Sequence, residues 1–123
     1  MTITCYWLSG TGFGAHPDGI SQTFGAALDR DRFEFVPLRY PAAYGGPLDM
    51  SYAASVDIGK HALLDAVRAT PNRVAIGGYS QGAGIAGTLA AEIARGEHRR
   101  RRTNSSSLEW RQSVRAWSGR WPG

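Results

Sequence analysis

Residues 73–95 read RVAIGGYSQGAGIAGTLAAEIAR, an apolar run that passes through a short glycine- and serine-bearing turn directly into an alanine-rich helical pattern. A strand that turns straight into a helix does not continue as a hairpin. Its sheet neighbours are reached by crossovers, so the stretch calls for parallel strands with helices packed on their faces. The turn has to be tight enough that a Cβ at Gly78 or Gly82 would strike backbone. Such a turn stands the hydroxyl of Ser80 at the carboxyl edge of the sheet, in front of a helix N-terminus where free N–H groups and the dipole favour developing negative charge. Read this way, Ser80 is the nucleophile of a GxSxG elbow. A serine at a helix start can equally be its N-cap, and the pattern alone leaves both readings open.

The rest of the chain has the periodicity of a layered α/β protein. Residues 3–8 (ITCYWL) form an apolar, β-branched run suited to a strand covered on both faces, and the glycine-rich loop SGTGFGAHPDG breaks it. From Asp18 the apolar residues Ile20, Phe24, Ala27 and Leu28 recur at helical spacing as far as DRDR, which predicts an amphipathic helix with that stripe toward the core. Residues 33–38 (FEFVPL) make a second strand, and Pro37, which has no N–H for a ladder, belongs at a strand end or a sheet edge. After the loop RYPAAYGGPLDM, Ser51 is the expected N-cap of a helix reaching about Thr70, with Tyr52, Val56, Gly59, Leu63, Ala66 and Val67 as its stripe. The third strand is RVAIGG. The third helix runs from Gln81 to Arg95, with Gly96 as its C′ residue and with Gly84 and Gly87 placed for close packing on the sheet. The βαβαβα order implies right-handed crossovers and functional loops at the carboxyl ends of the strands.

At 123 residues the chain has room for one domain. Its composition, 42% hydrophobic and 20% charged, is that of a globular protein, and no apolar run approaches the roughly 18 residues of a membrane span. The start, MTITCYWLSG, lacks a basic n-region and reads as a strand rather than a signal peptide. Cys5 is the only cysteine, which excludes an internal disulfide and suits a small buried hydrophobe. The net charge of +4 is unevenly spread: residues 1–94 hold six basic groups against eight acidic ones, whereas residues 95–123 hold eight arginines against Glu97 and Glu109. The domain is therefore expected over residues 1–96. The arginine-, serine- and tryptophan-rich segment 97–123 shows no sustained periodicity and is expected to be irregular or disordered. That tail permits a different reading, a small α/β binding protein that uses its arginines on nucleic acid or an anionic polymer, although an out-of-frame or solvated charge run is favoured over nucleic acid as its meaning. The sequence GTGFG after the first strand lacks the spacing of a GxGxxG or GK[ST] nucleotide turn, and no cofactor or metal is called for.

Three stretches together carry a resemblance. LSGTGFG after the first strand, RYPAAYG after the second and GGYSQGA at the elbow occur in the order and spacing of the lysin B enzymes of actinobacteriophages, which are α/β-hydrolase serine esterases related to cutinases and to the PE-PPE hydrolase domain. Over residues 3–97 the chain resembles the N-terminal half of that cutinase-like three-layer sandwich. The resemblance implies a parallel sheet of order 2-1-3, Ser80 as nucleophile, and the backbone N–H groups of Gln81 and Thr11, beside Gly12, as the oxyanion hole. It also implies the reaction: hydrolysis of the ester between mycolic acids and arabinogalactan in the host envelope during phage lysis. With no signal peptide, such a protein is expected to accumulate in the host cytoplasm and act after the membrane is breached.

The triad is where the pattern departs from the family. An α/β-hydrolase supplies Ser, then Asp, then His along the chain, yet no aspartate follows Ser80 and the one later histidine is His98. A helix from Gln81 to Arg95 is about 22 Å long, so His98 lies far from a hydroxyl that its base must approach to about 3 Å. It suits the dipole at the helix end better. His16, in the loop after the first strand, is on the correct edge and is the other candidate base; His61, off the apolar stripe, is expected to be solvated, and Asp49 is placed only by its loop. Nothing in the sequence covers the far edge of RVAIGG, an edge open to aggregation or to a partner such as a missing C-terminal half. A frameshifted, split or truncated hydrolase gene accounts for the missing triad and the change of composition near Arg102. The encoding nucleotide sequence, read onward in all frames, should then show a downstream aspartate and histidine at hydrolase-like spacing.

Overall fold

The computed structural model describes residues 1–98; the segment expected to be irregular lies, from residue 99 onward, outside the described residues. Strands and helices alternate as β1 (Ile3–Leu8), α1 (Gly19–Ala27), β2 (Phe33–Pro37), α2 (Tyr52–Ala69), β3 (Arg73–Gly78) and α3 (Gln81–Ala94). The three strands form one parallel sheet in the order β2-β1-β3. β1 is therefore central, as its unbroken apolar run requires, and Thr4, Cys5, Tyr6 and Leu8 are all buried. Burial also pushes the Cys5 thiol above its ordinary pKa, which suits a packing residue rather than a reactive one. Pro37 closes β2 on the sheet edge, opposite Trp7.

Successive side chains of β1 point to opposite faces, and the two faces are covered differently. Tyr6 and Leu8 enter the main core with Tyr40, Leu63 and Leu64 of the loop and helix after β2, and with Ile85, Ala86 and Leu89 of α3. Gly59 makes the approach of α2 possible, because a Cβ there would stand 2.8 Å from both Tyr40 and Ile85. Trp7 points the other way, toward α1. Its ring stacks on Phe24 at 4.2 Å between centroids, and its Nε1 donates to Ser21 Oγ at 2.6 Å. Helices thus cover both faces of the sheet.

Local end signals are realised where the sequence places them. Ser51 caps α2 by accepting from the Ala54 N–H at 3.1 Å, and Gly96, at φ +78°, follows the C-cap Arg95 of α3. The helical stripes need correction. In α1 the buried residue is Ser21, while Ile20 and Phe24 stand exposed: the hydrogen bonds of Ser21 to Asp18 and Trp7 fix the helix rotation. In α2 Gly59 and Leu63 are buried as expected, but Tyr52 is exposed, and Ser55 and Leu64 take core positions. Gly84 and Gly87 do not pack on the sheet; they lie on the exposed face of α3, and a Cβ at either meets nothing within 4 Å. Among the described residues no helix is long and apolar enough to cross a membrane.

The glycines of α3 consequently separate into two kinds. A Cβ on Gly82 would lie 1.9 Å from the Leu8 carbonyl oxygen, so Gly82→Ala should lower stability by about 3 kcal/mol or prevent folding. Gly87→Ala adds a methyl to an open helix face and should raise stability by about 0.5–1 kcal/mol. Urea denaturation midpoints of the two variants check the contrast.

Candidate active site

The elbow is built by the end of β1. Leu8 O accepts the Tyr79 N–H at 3.0 Å, and a Cβ on Gly78 would lie 2.3 Å from the carbonyl carbon of Gly82 and 2.6 Å from Leu8 O. Only two glycines let these three backbone segments meet. Between them Ser80 adopts φ +55°, ψ −116°, an unfavourable conformation for an L residue. Its carbonyl accepts the Gly84 N–H at 3.2 Å and so starts α3, but its side chain makes no capping bond. Ser80 thus stands at the N-cap position, but its exposed side chain makes no capping bond to the helix it precedes.

The loop after β1 lies against this turn, since a Cβ on Gly10 would stand 3.4 Å from Ser80 Cβ and 3.1 Å from the Tyr79 ring. It is held at several points. Asp18, buried as the N-cap of α1, accepts from Gly10 N–H at 2.9 Å, Ser21 N–H at 2.8 Å and Ser21 Oγ–H at 2.9 Å. The Gly12 N–H donates to Ala42 O at 2.8 Å, and the fully buried Tyr40 donates its hydroxyl to Ser9 O. Burial pushes the Tyr40 hydroxyl well above the usual phenol range, which keeps it a donor. Gly12 itself sits at φ +86°, and a Cβ there would be 2.6 Å from the Tyr44 hydroxyl oxygen.

A buried amide joins the loops. The Gln81 side chain, 2% exposed, donates from Nε2 to Thr11 Oγ1 at 3.0 Å and to Ala43 O at 3.2 Å. Its Oε1 accepts from the Ser55 hydroxyl at 2.7 Å, and Ser55 Oγ accepts in turn from the Ala43 N–H at 3.0 Å. The segments LSGTGFG, RYPAAYG and GGYSQGA thus meet in one place. Among the described residues, the backbone N–H groups of Thr11 and Gln81 have no acceptor, and Ala42 (φ +50°) and Ser80 are the only non-glycine residues with positive φ. Beside Tyr79 opens a shallow groove of about 640 Å³ lined by Asp18, Gly19, Ile20, Thr23 and Phe24. A second cavity, about 620 Å³ between α1 and β2, is lined by Gln22, Gly25, Phe33, Glu34 and Phe35.

Neither candidate base reaches Ser80 among the described residues. His98 Nε2 pairs with Glu92 Oε1 at 2.6 Å, and its carbonyl accepts from Arg68 Nη2 at 3.1 Å, at the far end of α3. The hydrogen bond from His98, which outweighs desolvation, and the Lys60 ammonium at 3.1 Å hold the Glu92 carboxyl below its usual range. His16 is exposed and lines a separate cavity with Phe13, Gln22 and Pro41. His61 is half-buried rather than solvated, with Nδ1 2.9 Å from Asp57 O. Asp49 accepts from Tyr44 N–H and Met50 N–H and shapes its own loop. No three His, Cys, Asp or Glu residues of the described part group as metal ligands.

Asp18, Tyr40, Ala43, Ser55 and the Gln81 side chain were not singled out from the sequence. Asp18 was findable, because Asp directly before a helical pattern is a favoured N-cap; Ser55 offers no such signal, lying beside an apolar stripe in a run of small residues. No family model matches the chain, and no curated protein matches it.

Burial opposes ionisation of Asp18, but its backbone and hydroxyl donors outweigh that and lower its pKa. A depressed carboxylate pKa contributes stability above the unfolded value of about 3.9, and the contribution is lost as pH falls through the folded value. Asp18→Ala should therefore cost about 2 kcal/mol at pH 7, and the gap between variant and wild-type Tm should close as pH is lowered below about 4.

Proposed function

We propose that this chain is the nucleophile-bearing part of a serine ester hydrolase of lysin B type. The observation that carries the reading is the conformation of Ser80: a non-glycine residue held at positive φ, hydroxyl uncapped and exposed, on a turn whose neighbours Gly78 and Gly82 admit no side chain. Strain of this kind is retained where surrounding structure over-determines it, typically at a reacting group. Two free backbone N–H groups, those of Gln81 and Thr11, belong to residues tied together by a 3.0 Å hydrogen bond and suit an oxyanion.

In this reading Ser80 Oγ attacks the ester carbonyl carbon, the carbonyl oxygen takes the negative charge toward the Gln81 and Thr11 amides, and the alcohol leaves as the acyl-enzyme forms. Water then attacks the acyl carbonyl, and the acid departs with Ser80 restored. The Oγ proton passes to an imidazole that protonates the leaving alcohol. That imidazole belongs to polypeptide paired on the open edge of β3, the part of the fold in which the described residues place nothing. Ile20, Phe24 and Tyr79, exposed around the groove beside the elbow, suit the acyl chain of a lipid ester. A mycolyl ester of arabinogalactan, cleaved in the host envelope during phage lysis, is the substrate that the motif resemblance supports.

A fluorophosphonate probe tests the nucleophile directly, with imidazole added in solution to supply the base that no described residue brings to Ser80. Labelling mapped to Ser80 and abolished in Ser80→Ala, with p-nitrophenyl butyrate turnover falling in parallel by several orders of magnitude, supports the reading. Absence of labelling in the wild-type chain with imidazole present, or equal labelling of Ser80→Ala, overturns it.

A further inference from the structure

The Gln81 side chain sits directly behind the turn that carries Ser80, yet it faces the interior and touches nothing that could be substrate. It is 2% exposed, and each of its polar atoms is engaged: Nε2 by Thr11 Oγ1 and Ala43 O, Oε1 by the Ser55 hydroxyl. Ser55 is wholly buried on α2 and passes the connection to the Ala43 N–H. One amide and one hydroxyl therefore bind the loop after β1, the loop after β2, and the starts of α2 and α3. A glutamine serves here because its two ends have opposite polarity; Glu would offer no donor to Thr11 and Ala43, and Leu would leave three polar groups unmet.

From this connectivity we infer that Ser55 and the side chain of Gln81 are positioning residues that set the spacing of the two oxyanion donors, the inference resting on the serine hydrolase reading above. The Gln81 N–H is fixed by the helix to which it belongs. The Thr11 N–H lies in a glycine-rich loop, and its link to α3 is the hydroxyl of its own side chain, held by Gln81 Nε2. Ser55 fixes the Gln81 amide: by donating to Oε1 it orients the amide plane so that Nε2 points at Thr11 and Ala43 O. Loss of the Ser55 hydroxyl leaves Gln81 Oε1 and the Ala43 N–H buried without partners and frees the amide to turn. The loop then no longer presents the Thr11 N–H at a fixed distance from Ser80. Oxyanion donors act by preorganisation, so a displacement on the order of an ångström is felt in the rate rather than in binding.

The experiment compares wild-type, Ser55→Ala and Thr11→Val chains in the fluorophosphonate reaction with the same added imidazole, the saturating labelling rate and the half-saturating probe concentration being measured separately. Thr11→Val removes only the acceptor for Gln81 Nε2 at a half-exposed position, so it reports on the link even if Ser55→Ala does not fold. Both variants should label about tenfold or more slowly at saturation, with half-saturation changed less than about threefold, the signature of a transition-state rather than a binding effect. Amide hydrogen exchange supplies an independent readout: Gly12 and Ala43 should lose protection in Ser55→Ala while Gln22 in α1 keeps it. Wild-type labelling rates with unchanged Gly12 exchange overturn the inference. If the wild-type chain itself does not label, the hydrolase reading fails and with it any catalytic meaning of the link, whereas the exchange data still decide whether Ser55 holds the loop.

Discussion

The carbonyl group of Leu8 is the contact on which the arrangement of this chain depends. It ends the central strand, receives the Tyr79 N–H at 3.0 Å, and lies so close to Gly82 that even one added carbon would overlap it. That single approach fixes how near α3 comes to β1, and Ile85, Ala86 and Leu89 enter the core from the helix so placed. It also explains the strain at Ser80. With Tyr79 bonded back to β1 and Gly82 pressed on the same carbonyl, Ser80 has to reverse the chain within one residue, and positive φ is the conformation that does so. The cost, about 1–3 kcal/mol for such a residue, is met by burial of the helix face behind it.

Around this contact the polar groups form a closed arrangement, which is what allows loops to be buried at all. A backbone N–H or carbonyl removed from water without a partner costs about 1–3 kcal/mol, and three connecting segments converge here. Asp18 takes up the Gly10 N–H, Ala42 O takes up that of Gly12, Ser55 takes up that of Ala43, and Gln81 takes up the Ala43 carbonyl. The Thr11 and Gln81 amides, which like those of Ser80 and Ala83 no acceptor among the described residues takes up, belong to the two residues joined by this link.

Elements whose signals are local were legible in the sequence. The three strands, the Ser51 cap, the edge proline Pro37, the Gly96 terminus and the two elbow glycines each depend on a residue's own backbone chemistry, and each stands as its type requires. The rotation of α1 was not legible. Its most apolar stripe, Ile20 and Phe24, suggested the buried face, but the helix is turned by Ser21, whose hydroxyl lies between Asp18 and the Trp7 indole; that partner comes from another strand, and periodicity within one helix carries no trace of it. The same limit hid the Gln81–Ser55 link, which joins residues 26 apart in sequence. Gly84 and Gly87 misled for the opposite reason: small residues on a helix are necessary for close packing but do not bring a partner to it.

The two edges of the sheet are not equivalent, and the difference bears on how the proposed site would be completed. β2 is five residues long, carries Glu34 and ends in Pro37, features that discourage further pairing. β3 has only Arg73 at its start, followed by VAIGG. Because the Tyr79 N–H faces β1, alternation along the strand turns the N–H and carbonyl groups of Ala75 and Gly77 toward β1 as well, and those of Val74, Ile76 and Gly78 toward the open edge. A strand added there in the sense of the existing sheet would run parallel to β3 and end beside Gly78, two residues from Ser80. The loop leaving that strand would begin at the carboxyl edge, within a few residues of the hydroxyl. Loops that follow parallel strands supply functional groups in this architecture. Under the serine hydrolase proposal the open edge and the base are linked: polypeptide that paired with the backbone groups of β3 would be placed to bring an imidazole to Ser80.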